Sequence, residues 1–442
     1  MKDNGRAAVL AHTEDMMYLD AADFGNAMMV GSSMEFVPQV KVVLTEPIDV
    51  GFLQEAVQAA RIRYRLLRRK FCVLHSSVVY MPNEKDVVIS NEPAGKAKLL
   101  GAPNNDYPWK VTYFQNYFVF TWAHGMCDGR GGFEVVKTIL YYYYTLAGLR
   151  VEDTHLVKTL DDDMGALEPL ELEHSYNKHY GRGVPEFNQR KLPDVDVMSK
   201  KYRLNASVER RCCLTFSTRE LLDATHRFDT TPYALLAPLL ARSLKCYFDE
   251  PEPNIGMIIL VDARGVLGSQ TLRNCTLQPA VCYESAKMDG RDMEMVATIL
   301  RSLVDLAVEE GNALAQVDHL VEFMRSAEKI KPLRLRMALI HFLAEKLSPD
   351  QSASIVFSNV GLMRFPSEIT PHVQSVSTSL RCYGSVPTLV ELSSTVDVAK
   401  MEIAYMMGDC SFAESLMDDL GALGVHCAFE DEGEVERNRF FY

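Results

Sequence analysis

The sequence predicts an α/β (α+β) protein built from two lobes. Its 442 residues exceed the size at which a single hydrophobic core keeps growing, which favours two units. Strand-like and helix-like segments follow one another with a similar rhythm in both halves, without a clear internal repeat. Between the halves, residues 150–204 lose this periodicity and collect acidic, Gly and Pro residues, which is typical of a surface crossover. We therefore predict an N-terminal lobe over 1–175, a linker over 176–205 and a C-terminal lobe over 206–442.

Strand and helix patterns alternate through the N-terminal half. The predicted strands lie at residues 40–44, 77–81 and 86–90 and in a hairpin over 111–122 that turns at Gln115 and Asn116. Asp49 stands where a helix cap is expected, because apolar residues then recur at helical spacing from Leu53 to Tyr64. A second helix is predicted from Gly132 through four consecutive tyrosines, which we interpret as a helix packed on several sides.

The C-terminal half begins again with a strand and continues with helices. The predicted strands there are 210–217, 255–261, 353–358, 373–379 and 400–407. The predicted helices start at Thr218 and then cover 232–248, the region 296–306 and 333–347. The same strand-then-helix order in both halves supports two lobes of comparable build.

The charge balance narrows the possible partners. There are 46 basic and 59 acidic residues, for a formal net charge of −13. Such a balance repels phosphate backbones and anionic lipid surfaces, so neither nucleic acid nor a membrane is expected as a partner. A negatively charged ligand would need a local basic patch, which the sequence alone does not locate.

Targeting and metal signals are missing from the sequence. The amino terminus has no apolar run of the signal-peptide kind, and no stretch approaches the roughly 18 apolar residues of a membrane span. We therefore predict a cytoplasmic protein. The ten cysteines lack the paired spacing of metal ligands and are expected to be free, mostly buried thiols. The acidic residues within 161–173 are interpreted as solvated chain, so no metal site is expected.

The segment TWAHGMCDGRGG, residues 121–132, carries the most informative pattern. His124, Asp128 and Gly129 form an HxxxDG motif directly after the predicted hairpin. Alternate residues of the second hairpin strand are aromatic and point the same way as His124, so an apolar wall would end in one imidazole. Desolvation favours the neutral imidazole, which can accept a proton as a general base. The motif taken alone also fits a hydrogen-bonded histidine of the core.

The other residues of the motif suggest supporting roles. Asp128 could orient the imidazole, but a strand end followed by a glycine turn favours a carboxylate that points away, toward a structural arginine. Gly129, with Gly131 and Gly132 nearby, is expected to permit backbone angles that a Cβ would resist. Cys127 lies on the opposite face of the strand and is not expected to be a nucleophile. The sequence also lacks GxSxG, GxxxxGK[ST] and HExxH motifs.

With these residues in place, the segment resembles the HHxxxDG motif of the condensation-domain and chloramphenicol-acetyltransferase-like superfamily, which includes alcohol acetyltransferases and plant BAHD acyltransferases. Three further segments agree with that superfamily in order: residues 48–71, VDARGVLGSQTLRNC at 261–275, and SIVFSNVGLMRFP at 354–366. The last is similar to the alcohol-acetyltransferase-like branch. One departure is plain, because the first histidine of HHxxxDG is Ala123 here. The DFGWG motif of the plant enzymes is absent, and SNVG occupies the comparable region.

The resemblance implies a fold and an activity. Each of two similar lobes is expected to hold a mixed, mostly antiparallel sheet flanked by helices, with His124 in the cleft between them. An acyl group would pass from acyl-CoA, with acetyl-CoA favoured, to a hydroxyl or amine of a small acceptor. His124 would act as general base, and acyl-CoA would be a co-substrate, with no bound cofactor.

The resemblance also implies roles for residues outside the motif. Asp128 would pair with an arginine, either Arg264 or Arg273, although a surface ion pair is the alternative for each. Ser358, Asn359 or a backbone N–H of the following turn would stabilise the tetrahedral oxyanion, unless the two side chains only cap a turn. Two other functions remain open: a condensation-like enzyme that uses acyl groups on a carrier protein in trans, and a catalytically silent homologue that binds ligands.

Overall fold

The secondary structure alternates strands and helices along the chain. The computed structural model describes residues 16–20, 23, 37–74, 77–92, 99, 104–183, 194–198, 208–347, 353–382 and 386–436. The strands are β1 (Met17–Tyr18), β2 (Gln39–Leu44), β3 (Arg69–Leu74), β4 (Ser77–Pro82), β5 (Ser90–Asn91), β6 (Trp109–Phe114), β7 (Tyr117–Trp122), β8 (Val208–Ser217), β9 (Asn254–Asp262), β10 (Thr276–Leu277), β11 (Ala280–Glu284), β12 (Ala353–Leu362), β13 (Val373–Ser379), β14 (Thr388–Ser394), β15 (Val398–Tyr405) and β16 (Ala428–Glu436).

Helices occupy the segments between these strands. They are α1 (Val50–Arg63), α2 (Gly129–Leu146), α3 (Met164–Glu171), α4 (Ser175–His179), α5 (Thr218–Arg227), α6 (Pro232–Leu244), α7 (Arg264–Leu267), α8 (Ser285–Met288), α9 (Met293–Val308), α10 (Glu310–Glu328), α11 (Leu333–Leu347) and α12 (Ser411–Ala422). None of the helices within the described part of the chain is both long and apolar enough to cross a membrane.

Two larger sheets organise the molecule. The first has the strand order β13-β2-β7-β6-β5 and is antiparallel except for the β5–β6 pair. The second has the order β10-β9-β12-β14-β15-β8-β16, with β11 also paired to β9. Only β12 runs parallel to its neighbours β9 and β14 among the described pairs of this sheet. A small sheet, β1-β4-β3, completes the set. The predicted mixed, mostly antiparallel α/β architecture is confirmed.

The first sheet packs against α1 and α2, and this packing follows from the predicted amphipathic pattern. Asp49 accepts a hydrogen bond from the backbone N–H of Phe52 and so caps α1. The apolar face of α1 joins the aromatic residues of β6 and β7 in one core, in which Trp109 and Trp122 are each 1% exposed or less. The hairpin is confirmed, with Gln115 in the left-handed conformation at φ 52°.

One strand links the two halves of the chain. Val373–Ser379 lies in the C-terminal half of the sequence but pairs with β2 of the first sheet. The backbone N–H of Thr378 also donates to Ser393 Oγ of β14 at 3.2 Å. β13 therefore connects the first sheet to the second.

Two local expectations were wrong. Residues 86–90 form no strand apart from Ser90 of the two-residue β5, because the carbonyl of Val87 and the N–H of Ile89 hydrogen-bond to the Gln54 side chain of α1. The region 150–204 is only partly described, and its described part holds α3 and α4. Glu171 of α3 is not solvated chain, since it is buried and accepts two hydrogen bonds from Arg63, at 2.8 and 3.0 Å.

Candidate active site

His124 lies two residues beyond the end of β7, in the turn that leads into α2. The rings of Phe120 and Trp122 stack at 5.0 Å between centroids, so an apolar wall precedes the imidazole as predicted. The indole N–H of Trp122 donates to the carbonyl of Cys127 at 2.9 Å, and the Tyr80 hydroxyl donates to the carbonyl of Gly125. These bonds fix the turn, and His124 itself is partly buried.

A hydrogen bond to Asn274 fixes the tautomer of His124. Nδ1 of the imidazole lies 2.9 Å from Oδ1 of Asn274. The Asn274 Nδ2 group donates to the carbonyl of His124 and to Asp23 Oδ1, both at 2.8 Å. Because both of these partners are acceptors, the amide cannot be turned around, and its oxygen must face Nδ1. Nδ1 therefore carries the proton, and Nε2 carries the lone pair of the neutral ring.

Asp23, the acceptor of the Asn274 amide, is itself held by a buried ion pair with Arg273. Asp23 accepts from Nε of Arg273 at 2.6 Å, and Arg273 is 0% exposed. Arg273 also donates to the carbonyl of Tyr18 at 2.9 Å and contacts Nε2 of His174 at 2.9 Å. Charge-assisted bonds of this kind are shorter and stronger than neutral ones, so the amide of Asn274 is held in one orientation.

The surroundings of His124 favour its uncharged form. Burial lowers the pKa of His124 below its ordinary value, against the opposing effects of Asp128, Asn274 and Asp23. Desolvation penalises the imidazolium more than these contacts stabilise it. The ring is therefore neutral at neutral pH and suited to accept a proton.

The Asp128 carboxylate points away from the imidazole and accepts hydrogen bonds from several donors. Its carboxylate accepts from Arg264 Nη2 at 2.9 Å, from the backbone N–H of Gly131 and Cys275 at 3.0 Å each, and from the Thr276 hydroxyl at 3.2 Å. Burial alone would raise the pKa of Asp128, but the charge and hydrogen bond of Arg264 hold that pKa below its ordinary value. Asp128 thus anchors the turn and the start of α2.

The two arginines named from the sequence have different partners. Arg264 is the one that pairs with Asp128, and it also donates to the carbonyls of Thr271 and Arg273. Arg273 instead pairs with Asp23, the carboxylate that supports Asn274 beside His124. Both guanidinium groups are largely buried, so neither forms the exposed surface pair that was the alternative.

The motif glycines are required for close packing, not for unusual backbone angles. The expectation for Gly129, Gly131 and Gly132 was wrong in this respect, because none of them has φ in the left-handed region. A Cβ on Gly131 would lie 2.1 Å from the carbonyl oxygen of Leu272, and one on Gly132 would lie 2.5 Å from the Trp122 ring. The turn can approach its neighbours only without side chains here.

Ser358 and Asn359 lie close to the motif but face opposite sides of the second sheet. A Cβ on Gly129 would lie 3.0 Å from Cγ1 of Val360, which places the SNVG segment against the start of α2. Ser358 pairs with Glu391, whereas Asn359 pairs with Leu392, a residue of the C-terminal core. Since paired residues share a face, Ser358 faces the first sheet and Asn359 faces the helices.

Two other features bear on the possible chemistry. Burial raises the pKa of the Cys127 thiol well above its ordinary value, which makes the reactive thiolate unfavourable. No group of three or more His, Cys, Asp and Glu side chains within the described residues could hold a metal ion.

Asn274 and Asp23 were missed as site residues by the sequence reasoning. Asn274 belongs to the TLRN segment used for the resemblance, and its place directly after Arg273 was the available signal. Asp23 gave no signal, because it stands in no recognisable pattern and 250 residues separate it from Arg273.

Comparisons with solved structures identify the fold of this chain. The fold is shared with solved acetyltransferases and a condensation domain, as the resemblance predicted. TRI101 of F. sporotrichioides, solved with coenzyme A and T-2, matches with a TM-score of 0.62 at 10% identity, over 94% of this chain and 99% of that chain.

Two further structures have the same fold. The trichothecene 15-O-acetyltransferase TRI3 of Fusarium sporotrichioides matches with a TM-score of 0.55 at 12% identity, over 92% of this chain and 95% of that chain. The condensation domain of the monacolin K polyketide synthase MokA matches with a TM-score of 0.56 at 11% identity, over 92% and 96%. No protein-family model and no curated protein sequence matches this chain.

Proposed function

We propose that this protein is an acyltransferase that moves an acyl group from acyl-CoA to a hydroxyl or amine of a small acceptor, with His124 as general base. The observation that carries the proposal is the fixed tautomer of His124, with Nδ1–H bonded to Asn274 and the lone pair on Nε2. A base in this form is ready to accept a proton without any prior rearrangement.

The reaction follows from that arrangement. Nε2 of His124 takes the proton of the acceptor while the acceptor oxygen or nitrogen attacks the thioester carbonyl. The tetrahedral intermediate then expels the thiolate, which recovers the proton from the imidazolium. The ionised Asp23 and Asp128 favour this transient imidazolium, because both raise the affinity of the ring for a proton. A thiolate is a good leaving group, so the step needs no metal.

Ser358 is the better candidate for stabilising the oxyanion. Its hydroxyl lies on the face of β12 that is turned toward the first sheet, and β12 contacts the motif through Val360. A donor aimed at the developing oxyanion contributes about 10²–10³ in rate. Asn359 lies on the other face, so we assign it to the strand end and not to the intermediate.

The donor is proposed to be acyl-CoA, with acetyl-CoA favoured. TRI101 has the same fold and was solved with coenzyme A, which supports this choice. A condensation domain also has this fold, so an acyl group on a carrier protein is the second candidate donor. The cytoplasmic location and the lack of a nucleic-acid partner stay predictions from the sequence.

The test is a thiol-release assay on the full chain. Acetyl-CoA and longer acyl-CoAs are offered with a panel of alcohols and amines, and free thiol and acylated product are both measured. His124→Ala is expected to lose about 10²–10⁴ in kcat, the usual contribution of a general base. His426→Ala is the matched control, since this histidine side chain is 79% exposed.

The outcomes separate the candidate functions. Equal thiol release by wild type and His124→Ala across the panel would favour the silent homologue. Turnover with an acylated carrier protein but not with any acyl-CoA would favour the condensation-like enzyme. Turnover with acyl-CoA that depends on His124 and not on His426 is the result we expect.

A further inference from the structure

A short N-terminal segment, residues 17–20 and Asp23, lies against the elements that surround the site. β1, at the start of this segment, pairs with β4. Asp20 accepts hydrogen bonds from the backbone N–H groups of Tyr176 and Asn177, at 3.0 and 3.2 Å, where α4 begins. Asp23 follows three residues later and is 0% exposed. The segment therefore places a fully buried carboxylate inside the molecule.

The Asp23 carboxylate accepts hydrogen bonds at both of its oxygens. Oδ1 accepts from the side-chain amide of Asn274 at 2.8 Å and from its backbone N–H at 3.4 Å. Oδ2 accepts from Nε of Arg273 at 2.6 Å and from the backbone N–H of Asp20 at 3.3 Å, and Nη2 of Arg273 completes the ion pair. Because a carboxylate has no donor, it suits this arrangement, whereas an amide of the same shape would turn its NH2 group toward one of these donors.

The Asn274 amide transmits this requirement to His124. Its Nδ2 group donates to Asp23 and to the carbonyl of His124, so its oxygen faces Nδ1 of the ring at 2.9 Å. A donor at position 23 would remove one of the two acceptors that fix this orientation. The reversed amide would point its NH2 group at Nδ1 and favour a proton on Nε2. That tautomer lacks the lone pair that a base needs at Nε2.

Two ion pairs flank the imidazole. Asp128, in the motif turn, is paired with Arg264 of α7, whereas Asp23 is paired with Arg273. Burial lowers the pKa of His124, and the charges of both carboxylates oppose that effect. Without Asp23, the buried charge of Arg273 would be uncompensated on this side of the ring and would disfavour the imidazolium.

The other titratable side chains near these pairs are uncharged at neutral pH. Burial raises the pKa of the Tyr80 hydroxyl and of the Cys127 thiol well above their ordinary values. Burial, together with the charge of Arg273, lowers the pKa of His174 to about 4. Removal of the charge at Asp23 is therefore not compensated by ionisation of these neighbours.

We propose that Asp23 is a positioning residue for the base: its carboxylate keeps the Asn274 amide in the orientation that leaves the lone pair of His124 on Nε2, and it balances Arg273 so that the imidazolium can form. The inference rests on the proposed function and adds to it a residue that no pattern in the sequence indicated. Asp23 acts on the ring through Asn274 and is not itself a catalytic residue.

The test is nitrogen-15 NMR of histidine-labelled full chain across pH, with kcat for acyl transfer measured in parallel. Asp23→Asn removes the negative charge and keeps the side-chain shape, and Arg273→Gln removes the positive charge of the same pair. The control is Asp20→Asn, which changes a buried carboxylate of the same segment that accepts from the start of α4. Unfolding midpoints show whether each variant is folded.

We expect the two variants of the pair to shift the titration of His124 in opposite directions. In Asp23→Asn the midpoint should fall, a fraction of the neutral ring should carry its proton on Nε2, and kcat should drop about tenfold or more, within the range of general-base effects. In Arg273→Gln the midpoint should rise, because Asp23 is then uncompensated. Asp20→Asn should leave the midpoint and the tautomer unchanged.

A purely structural role predicts a different pattern. Both variants break a buried ion pair and lose stability, so loosening alone would move the midpoint in the same direction in both or in neither. Either result, or a shift in Asp20→Asn as large as in Asp23→Asn, would overturn the inference. If Asp23→Asn does not fold, an unchanged or lower midpoint in Arg273→Gln overturns it. Absence of acyl transfer by wild type, with the expected NMR shifts intact, would count against the proposed function alone.

Discussion

At the scale of single residues, the contact between His124 and Asn274 decides which ring nitrogen of His124 carries the proton in the neutral form. Oδ1 of Asn274 lies 2.9 Å from Nδ1 of His124, and the Asn274 amide is itself fixed by the carbonyl of His124 and by Asp23. A histidine without this partner would exchange between two tautomers, only one of which presents a lone pair at Nε2. Asn274 is therefore a positioning residue for the proposed base.

Loss of Asn274 should change the pH dependence as well as the rate. The general base must be neutral, so kcat/KM of wild type should fall on the acid side with a midpoint below 6.5, because burial lowers the pKa of His124. Asn274→Ala removes a hydrogen bond that raises this pKa, so the acid limb should move to lower pH. The loss of the fixed tautomer should reduce kcat about tenfold or more, within the range of general-base effects.

The control for this prediction is Asn177→Ala, because Asn177 is exposed. It should leave both kcat and the acid limb unchanged. A lower kcat with an unmoved acid limb in Asn274→Ala would indicate a purely structural role for Asn274 and would contradict the assignment.

Local spacing in the sequence indicated His124 as a candidate base and an arginine as the partner of Asp128, but it could not identify Asn274 or Asp23 as partners. The Asn274 contact spans 150 residues, and local patterns carry no information about which distant segments meet. The choice between Arg264 and Arg273 was open for the same reason. It depends on how α7 and the TLRN segment fold back on the motif turn.

At the scale of elements, segments with strong hydrophobic periodicity were predicted correctly as helices or strands, whereas short or irregular segments were not. The α1 helix, the β6–β7 hairpin and α9 follow patterns of clear period, and the structure has them close to the predicted bounds. The α3 helix escaped notice because Gly, Pro and acidic residues interrupt its short apolar face, and α4 because it is only five residues long. Glu171 shows that such a segment can be held by a buried ion pair in place of an apolar stripe.

The start of α2 depends on two glycines that differ in their tolerance of a side chain. Gly131→Ala should destabilise the protein by about 1–3 kcal/mol or more, because the new Cβ would lie 2.1 Å from the backbone oxygen of Leu272. Gly129→Ala should cost less, since its nearest neighbour is the side chain of Val360 at 3.0 Å, which can move. Urea unfolding of both variants measures the difference. Equal stability losses would contradict close packing against Leu272 as the reason for glycine at position 131.

At the scale of the whole molecule, the two sheets depend on each other through β13. The pattern of residues 373–379 predicted a strand, but a strand pattern does not specify its partner, and this one pairs with β2. The lobe boundaries at 175 and 205 stay predictions, whereas the overall fold followed from four segments in family order. Because β13, from the C-terminal half of the chain, completes the first sheet, we expect both sheets to unfold as one cooperative unit.

Unfolding should therefore occur in a single transition. The chain has two tryptophans, and both belong to the first sheet, so fluorescence reports on that sheet while far-UV circular dichroism reports on the whole chain. The two urea curves should coincide, as in a two-state transition. Val376→Asp places a charge at a fully buried position of β13 and should shift both curves together. A fluorescence transition at lower urea than the dichroism transition would contradict this prediction.

The most direct test of the account is the protonation state of His124 itself, because it requires no knowledge of the acceptor. Nitrogen-15 NMR of histidine-labelled protein distinguishes the two ring nitrogens, and the signal missing from His124→Ala assigns the resonance. We predict a protonated Nδ1, an unprotonated Nε2 and a titration midpoint below 6.5, since burial lowers this pKa. A proton on Nε2 in the neutral ring, or an imidazolium that persists above pH 7, would contradict the proposal that His124 is the general base.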